Sequence, residues 1–98
     1  MEVSYHIIFK GRVQGVFFRL FCKSVVNSFN KENEDKICGF VKNLSNGDVE
    51  LVLQGLEKSV KKVFEKIKKG NNYCKIEKIE LKRKKIEKKY DGFNIIRE

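Results

Sequence analysis

The chain has no proline, and with proline goes any Pro-rich spacer between folded units. Its three cysteines, Cys22, Cys38 and Cys74, lie far apart and form no Cys-x-x-Cys pair. Neither a disulfide framework nor a zinc site follows, and they read as reduced, semi-buried apolar residues. The single histidine, His6, lacks the partners that a Ser-His-Asp triad or a zinc site requires, so it reads as an ordinary sheet residue. No apolar run approaches the roughly 20 residues needed to cross a bilayer. The N-terminus lacks the apolar core of a signal peptide. Both absences point to a cytoplasmic chain with no membrane partner. With no linker, low-complexity stretch or short repeat, residues 1–98 are expected to form one domain.

What is present suits a packed core. Hydrophobic residues make up 41%, with eight Phe and three Tyr, enough for two layers and too many for a disordered chain. Lys plus Arg number 22 against 13 Asp plus Glu, a net charge of +9. Such a surplus suits an anionic partner or simply solvates the surface, and the interleaving of lysines with glutamates favours a solvated surface. Glu32, Glu34 and Asp35 fall in a polar stretch of mixed charge and read as solvated rather than as a metal cluster.

Periodicity divides the chain into seven elements. Residues 3–9 read as a strand leading into Gly11. From Phe18 the period changes: Phe18, Phe21, Cys22, Val25, Val26 and Phe29 form one helical stripe. Asn30–Lys36 reads as a loop. Ile37–Leu44 and Asp48–Gln54 read as strands joined at Asn46-Gly47, a strong signal for a two-residue hairpin turn. Val60, Val63, Phe64 and Ile67 mark a second amphipathic helix that stops near Gly70. Cys74–Arg83 alternates with one slip between Ile76 and Ile79, which predicts a bulge. Phe93–Ile96 closes the chain as a short strand. This order predicts an α+β, ferredoxin-like (split βαβ) sandwich, with a largely antiparallel four- to five-stranded sheet and two helices on one face. That architecture decides no function by itself.

The informative segment is Gly11-Arg12-Val13-Gln14-Gly15-Val16-Phe17-Phe18-Arg19, which joins the first strand to the first helix. Two glycines four apart let a backbone bend tightly and approach a ligand closely. The loop then enters a helix N-terminus, where unpaired N–H groups and the positive dipole end form a ready phosphate cradle. Arg19 is placed to fold its guanidinium over the anion, with charge-assisted hydrogen bonds worth about 1.5–3 kcal/mol each. No Gly-Lys-Ser/Thr follows, and the Gly-x-x-x-Gly spacing is not a dinucleotide fingerprint. On geometry alone a plain connector with a surface arginine remains an equal reading.

This loop closely resembles the signature of the acylphosphatases. A second stretch at the matching distance, Gly39-Phe40-Val41-Lys42-Asn43-Leu44-Ser45-Asn46-Gly47-Asp48-Val49-Glu50, resembles that family's second signature. The resemblance spans the chain, including Gln54-Gly55 and the closing Phe93-x-Ile95. It implies a small hydrolase without metal or cofactor, which splits the carboxyl-phosphate anhydride of small-molecule acyl phosphates into carboxylate and inorganic phosphate. Phosphate is then both product and competitor, and the protein a monomer. By position, Arg19 matches the family's phosphate-binding arginine and Asn43 the asparagine that orients the attacking water. The amides of Gly15, Val16, Phe17, Phe18 and Arg19 match its phosphate cradle. Two departures are evident: Phe40 stands where the family often has Trp, and Ile96-Arg97-Glu98 replaces an aromatic end.

The chemistry agrees. Neither motif supplies a carboxylate or imidazole poised as a general acid. An acyl phosphate expels a carboxylate whose conjugate acid has a pKa of about 4, so none is needed. A phosphate monoester expels an alkoxide with a conjugate pKa of roughly 15, near that of water. Two rivals stand beside this reading. An RNA-binding module on the same fold would need exposed aromatics on its two central strands, for which only Tyr5 and Phe9 are natural candidates. An inactive regulatory relative is the other, against which Arg19 and Asn43 both stand intact.

Overall fold

The computed structural model describes residues 1–97. Alternation along the first strand buries Val3, Tyr5, Ile7 and Phe9, and the segment runs as β1 (Glu2–Arg12). The expected stripe forms α1 (Phe18–Glu32), which buries Phe18, Cys22 and Val26. Then follow β2 (Cys38–Asn43), β3 (Val49–Leu56), α2 (Glu57–Ile67), β4 (Lys75–Lys84) and β5 (Phe93–Ile96). The sheet order is β4-β1-β3-β2-β5. All pairings are antiparallel except β2 with β5, which is parallel. The outcome is the expected α+β, ferredoxin-like sandwich.

Both helices lie on the face from which the odd-numbered β1 side chains project. The Tyr5 ring meets Phe64 of α2 edge-on at 6.1 Å, and the Phe9 ring meets Phe18 of α1 edge-on at 5.0 Å. Val41, Leu51, Leu53, Val60, Val63, Ile67 and Phe93 complete one contiguous core. Among the described residues no helix is long and apolar enough to cross a membrane.

The slip in the fourth strand is real. Lys10 pairs with Lys78 and Gly11 with Ile76, so Glu77 is the extra residue of a bulge on β4. It carries β1 three residues beyond the run of alternation that ends at Phe9, to Arg12, so that the strand delivers its chain end directly into the glycine loop.

Two expectations need correction. Asn30–Lys36 is not all loop, because α1 continues through Glu32. The Asn33 amide donates to Phe29 O at 2.8 Å, and Asn30 both donates to Ile37 O and accepts from Ile37 N–H. These side chains hold the extra turn and clip the short return to β2. The hairpin between β2 and β3 is also not a two-residue Asn-Gly turn. Leu44 N–H donates to Asp48 O at 2.8 Å and Gly47 N–H to Leu44 O at 3.2 Å, so Ser45–Gly47 form a three-residue connection. Gly47 takes a φ of +98, the left-handed residue that closes such hairpins. The Asn46 side chain accepts from Asp48 N–H, which commits it to the turn instead of the central position of a primed one.

Candidate active site

The loop between β1 and α1 is pinned at both ends by core residues. Val13 and Phe18 are each 1% exposed, and burying a phenylalanine is worth about 1.5–3 kcal/mol. Between them the backbone turns left-handed twice. Gly15 has a φ of +68, with nothing within 4 Å of the position a Cβ would take. Glycine is favoured there by conformation, and the space beside it stays open. Phe17 has φ 62 and ψ 20 and is the only non-glycine residue with positive φ among those described. That conformation costs roughly 1–2 kcal/mol, and such strain concentrates at functional sites. It also sends consecutive phenylalanines opposite ways: Phe18 into the core and Phe17 outward, 65% exposed, with its ring edge-on to Tyr73 at 5.9 Å. The first turn of α1 carries no side-chain cap and no acidic residue.

Two side chains that the sequence did not mark as functional hold this loop. Gln14 Nε2 donates to Leu44 O and to Asp48 O, both at 2.7 Å, and so ties the loop to the hairpin that follows Asn43. Asn71, between α2 and β4, donates through Nδ2 to Val16 O at 2.9 Å. Its Oδ1 accepts from the Tyr73 and Cys74 amides at 3.0 and 2.8 Å. Gln14 was visible as part of the motif, yet nothing in one sequence tells a tether from a solvated amide. Asn71 lies 55 positions from Val16, and no local pattern announces that contact.

Asn43 is the last residue of β2, paired with Val49. Its Oδ1 is buried with no hydrogen-bond partner among the described residues, a condition that usually costs about 1–3 kcal/mol. Arg19, Asn43, Ile96 and Arg97 line one cavity of about 360 Å³. Gly15, Phe17, Phe18, Arg19, Leu20 and Arg97 line a second of about 220 Å³. Arg19 stands in both. Of the residues singled out from the sequence, Arg19, Asn43, Gly15, Phe17 and Phe18 thus come together. Val16 lines neither cavity and presents its carbonyl to Asn71.

The remaining candidates lie elsewhere. His6 pairs with Glu50, Nε2 to Oε2 2.6 Å, diagonally across β1 and β3. Glu32, Glu34 and Asp35 are exposed. Tyr5 and Phe9 are 4% and 0% exposed, so the aromatics on which base stacking would depend face the helices. The Cys22 thiol is pushed up by burial, reinforced by Cys74, which removes it as a nucleophile. Lys10 is raised, chiefly by its 2.7 Å hydrogen bond to Asp48 and against the effect of desolvation. Its partner Asp48 is the same residue whose carbonyl receives Gln14.

Comparison with known proteins agrees with this arrangement. The acylphosphatase family model matches residues 5–95. An acylphosphatase from Clostridium beijerinckii is 40% identical over 79 residues, 81% of either chain. One from Bacillus licheniformis is 34% identical over 93 residues, 95% of this chain and 97% of its own. The crystal structure of the Bacillus subtilis acylphosphatase superposes with a TM-score of 0.85 at 30% identity, covering 97% of this chain and 99% of that one. The match runs through both motifs and the elements that bring them face to face, and on that ground the chain belongs to the acylphosphatase family, hydrolases acting on acyl phosphates.

Proposed function

We propose that the chain hydrolyses small acyl phosphates without a metal ion, with Arg19 and the backbone amides of Gly15, Val16, Phe17, Phe18 and Arg19 holding the phosphoryl group. Asn43 orients the attacking water. The observation that carries this reading is that Asn43 and Arg19 line the same cavity. The Asn43 side-chain amide hydrogen-bonds a water held beside the phosphate, and that bond aims a water lone pair at phosphorus.

The reaction then needs little covalent help from the protein. Water attacks phosphorus in line with the bond to the acyl oxygen, that bond breaks, and its electron pair leaves on the carboxylate. The water proton passes to a phosphoryl oxygen, so the acyl phosphate dianion becomes one carboxylate and one dihydrogen phosphate anion. An oriented neutral amide is no base, and the leaving carboxylate needs no acid, its conjugate pKa being about 4. Positioning and charge stabilisation carry the rate, as in phosphoryl transfer generally. The left-handed turn at Gly15 and Phe17 pre-sets the cradle before substrate arrives, so little reorganisation falls on the chemical step.

The same reading covers the rest of the assignment: residues 1–98 act as one catalytic unit, a cytoplasmic monomer, with inorganic phosphate as product and competitor and no nucleic-acid partner. Its test is hydrolysis of benzoyl phosphate with EDTA present. Chelator-resistant turnover competed by phosphate is expected. A folded chain that leaves benzoyl phosphate intact would end the enzymatic reading for it.

A further inference from the structure

Arg12, the last residue of β1, pairs with Lys75, the first of β4. Beyond that pair the two segments stay in contact. The Val16 carbonyl accepts from the Asn71 amide at 2.9 Å, and the Phe17 ring meets the Tyr73 ring edge-on at 5.9 Å. The 71–74 turn thus touches two consecutive residues of the phosphate loop, one through its backbone and one through its side chain. The turn is itself fixed, because Asn71 Oδ1 accepts the Tyr73 and Cys74 amides and Cys74 packs against the core.

The aromatic contact falls where the backbone is least favoured. Phe17 holds a φ of 62, the left-handed conformation that residues other than glycine avoid. Its carbonyl accepts the first helical bond of α1, from Phe21 N–H at 3.0 Å. A helix N-cap ordinarily has extended backbone and a short polar side chain; Phe17 has neither. The aim of the amides that follow it, those of Phe18 and Arg19, therefore depends on a backbone state that no side-chain capping hydrogen bond maintains. Both rings are mostly in solvent, Phe17 65% and Tyr73 61% exposed. Their contact adds little to the core and acts on the conformation of residue 17.

We infer that Tyr73 is a positioning residue for the phosphate cradle: its ring, edge-on to Phe17, holds residue 17 in the left-handed turn that aims the Phe18 and Arg19 amides. This rests on the reading of the 15–19 amides given above. Tyr73 lines neither cavity beside Arg19 and acts only through Phe17. Without its ring the turn opens part of the time, and apparent affinity falls with the fraction of chains in the binding conformation. Once phosphate is bound the turn is formed, and the chemical step proceeds as before.

The test is Tyr73→Ala, read by calorimetric titration of inorganic phosphate and by benzoyl phosphate kinetics with EDTA present, at a temperature where circular dichroism shows each variant folded. The variant keeps the Asn71 contacts, since the Tyr73 group that Asn71 binds is the main-chain N–H. Phosphate affinity should fall about two- to tenfold, the reach of one edge-on aromatic pair, and KM should rise in step while kcat holds. Tyr73→Phe, which keeps the ring, should restore both. In Phe17→Gly, which has no ring to hold and takes positive φ freely, adding Tyr73→Ala should change nothing. Wild-type affinity in Tyr73→Ala overturns the inference, as does a loss in Tyr73→Phe equal to that in Tyr73→Ala. So does a kcat that falls while KM stays, or an undiminished loss when Tyr73→Ala is added to Phe17→Gly. Each of these leaves the enzyme standing. A folded wild type that neither binds phosphate nor hydrolyses benzoyl phosphate removes the acylphosphatase reading, and this inference with it.

Discussion

Gln14 joins the two halves of the site, and its replacement separates folding from function in a measurable way. Its Nε2 donates to Leu44 O and Asp48 O at 2.7 Å each. Each net hydrogen bond is worth about 0.5–1.5 kcal/mol. Both acceptors keep one backbone partner, Gly47 N–H for Leu44 O and Leu44 N–H for Asp48 O, so neither carbonyl is orphaned. Gln14→Ala should therefore cost about 1–2 kcal/mol, the low end for two bonds. In a domain of this size each kcal/mol lowers Tm by roughly 4–8 °C. Gln14→Glu should cost more than Gln14→Ala, since a carboxylate sets acceptor against two acceptors. Urea unfolding reads the stability term. Benzoyl phosphate turnover at a temperature where each variant is fully folded reads the second term. A misplacement of about 1 Å between cradle and water-holding side chain can cost up to 100-fold in rate, so a loss of about ten- to a hundredfold is expected. Wild-type stability and turnover in Gln14→Ala, or a Glu variant more stable than the Ala one, would refute the tether.

Asn43→Ala should lower turnover by about 10²–10³, the usual effect of losing one key polar group, without loss of stability, because the Oδ1 it removes makes no bond in the fold; a variant that instead melts well below wild type would show the side chain to be structural. Asn71→Ala should weaken competition by inorganic phosphate, since the Val16 carbonyl loses its 2.9 Å donor and the cradle its support; an unchanged inhibition constant would count against that role. The Arg83 guanidinium donates to Glu57 at 2.7 and 3.0 Å and holds its carboxyl below the usual value. A depressed carboxyl contributes stability that is present above its unfolded pKa and lost as pH falls through the folded one. Urea midpoints should accordingly drop less steeply below about pH 4.3 in Glu57→Gln than in wild type, and parallel profiles would contradict the pairing.

The elements were legible where periodicity was strong. The stripe from Phe18 to Phe29 marked α1, and the slip at Ile76–Ile79 marked the bulge on β4, because each is a local relation between side chains and one face. Boundaries failed where side chains, not periodicity, set them. The last turn of α1 is held by Asn30 and Asn33, and polar residues there read equally well as loop. Asn46-Gly47 signalled the right hairpin and the wrong turn, because Gly47 supplies the left-handed residue of a longer connection. At the site, Arg19 and Asn43 were legible through their motifs. Gln14 and Asn71 were not, since their contacts span tens of residues and arise only when the sheet brings the loops together.

The central claim is that Arg19 holds the phosphate and Asn43 serves the water, so the two residues should separate in a titration of inorganic phosphate. Binding of phosphate, followed by calorimetry with EDTA present, is expected to be near wild type in Asn43→Ala and weaker by about ten- to a hundredfold in Arg19→Ala, the loss of one or two charge-assisted hydrogen bonds. Arg19→Lys should recover only part of it, because an ammonium lacks the planar fork. Phosphate bound as tightly by Arg19→Ala as by wild type would contradict the account at its foundation.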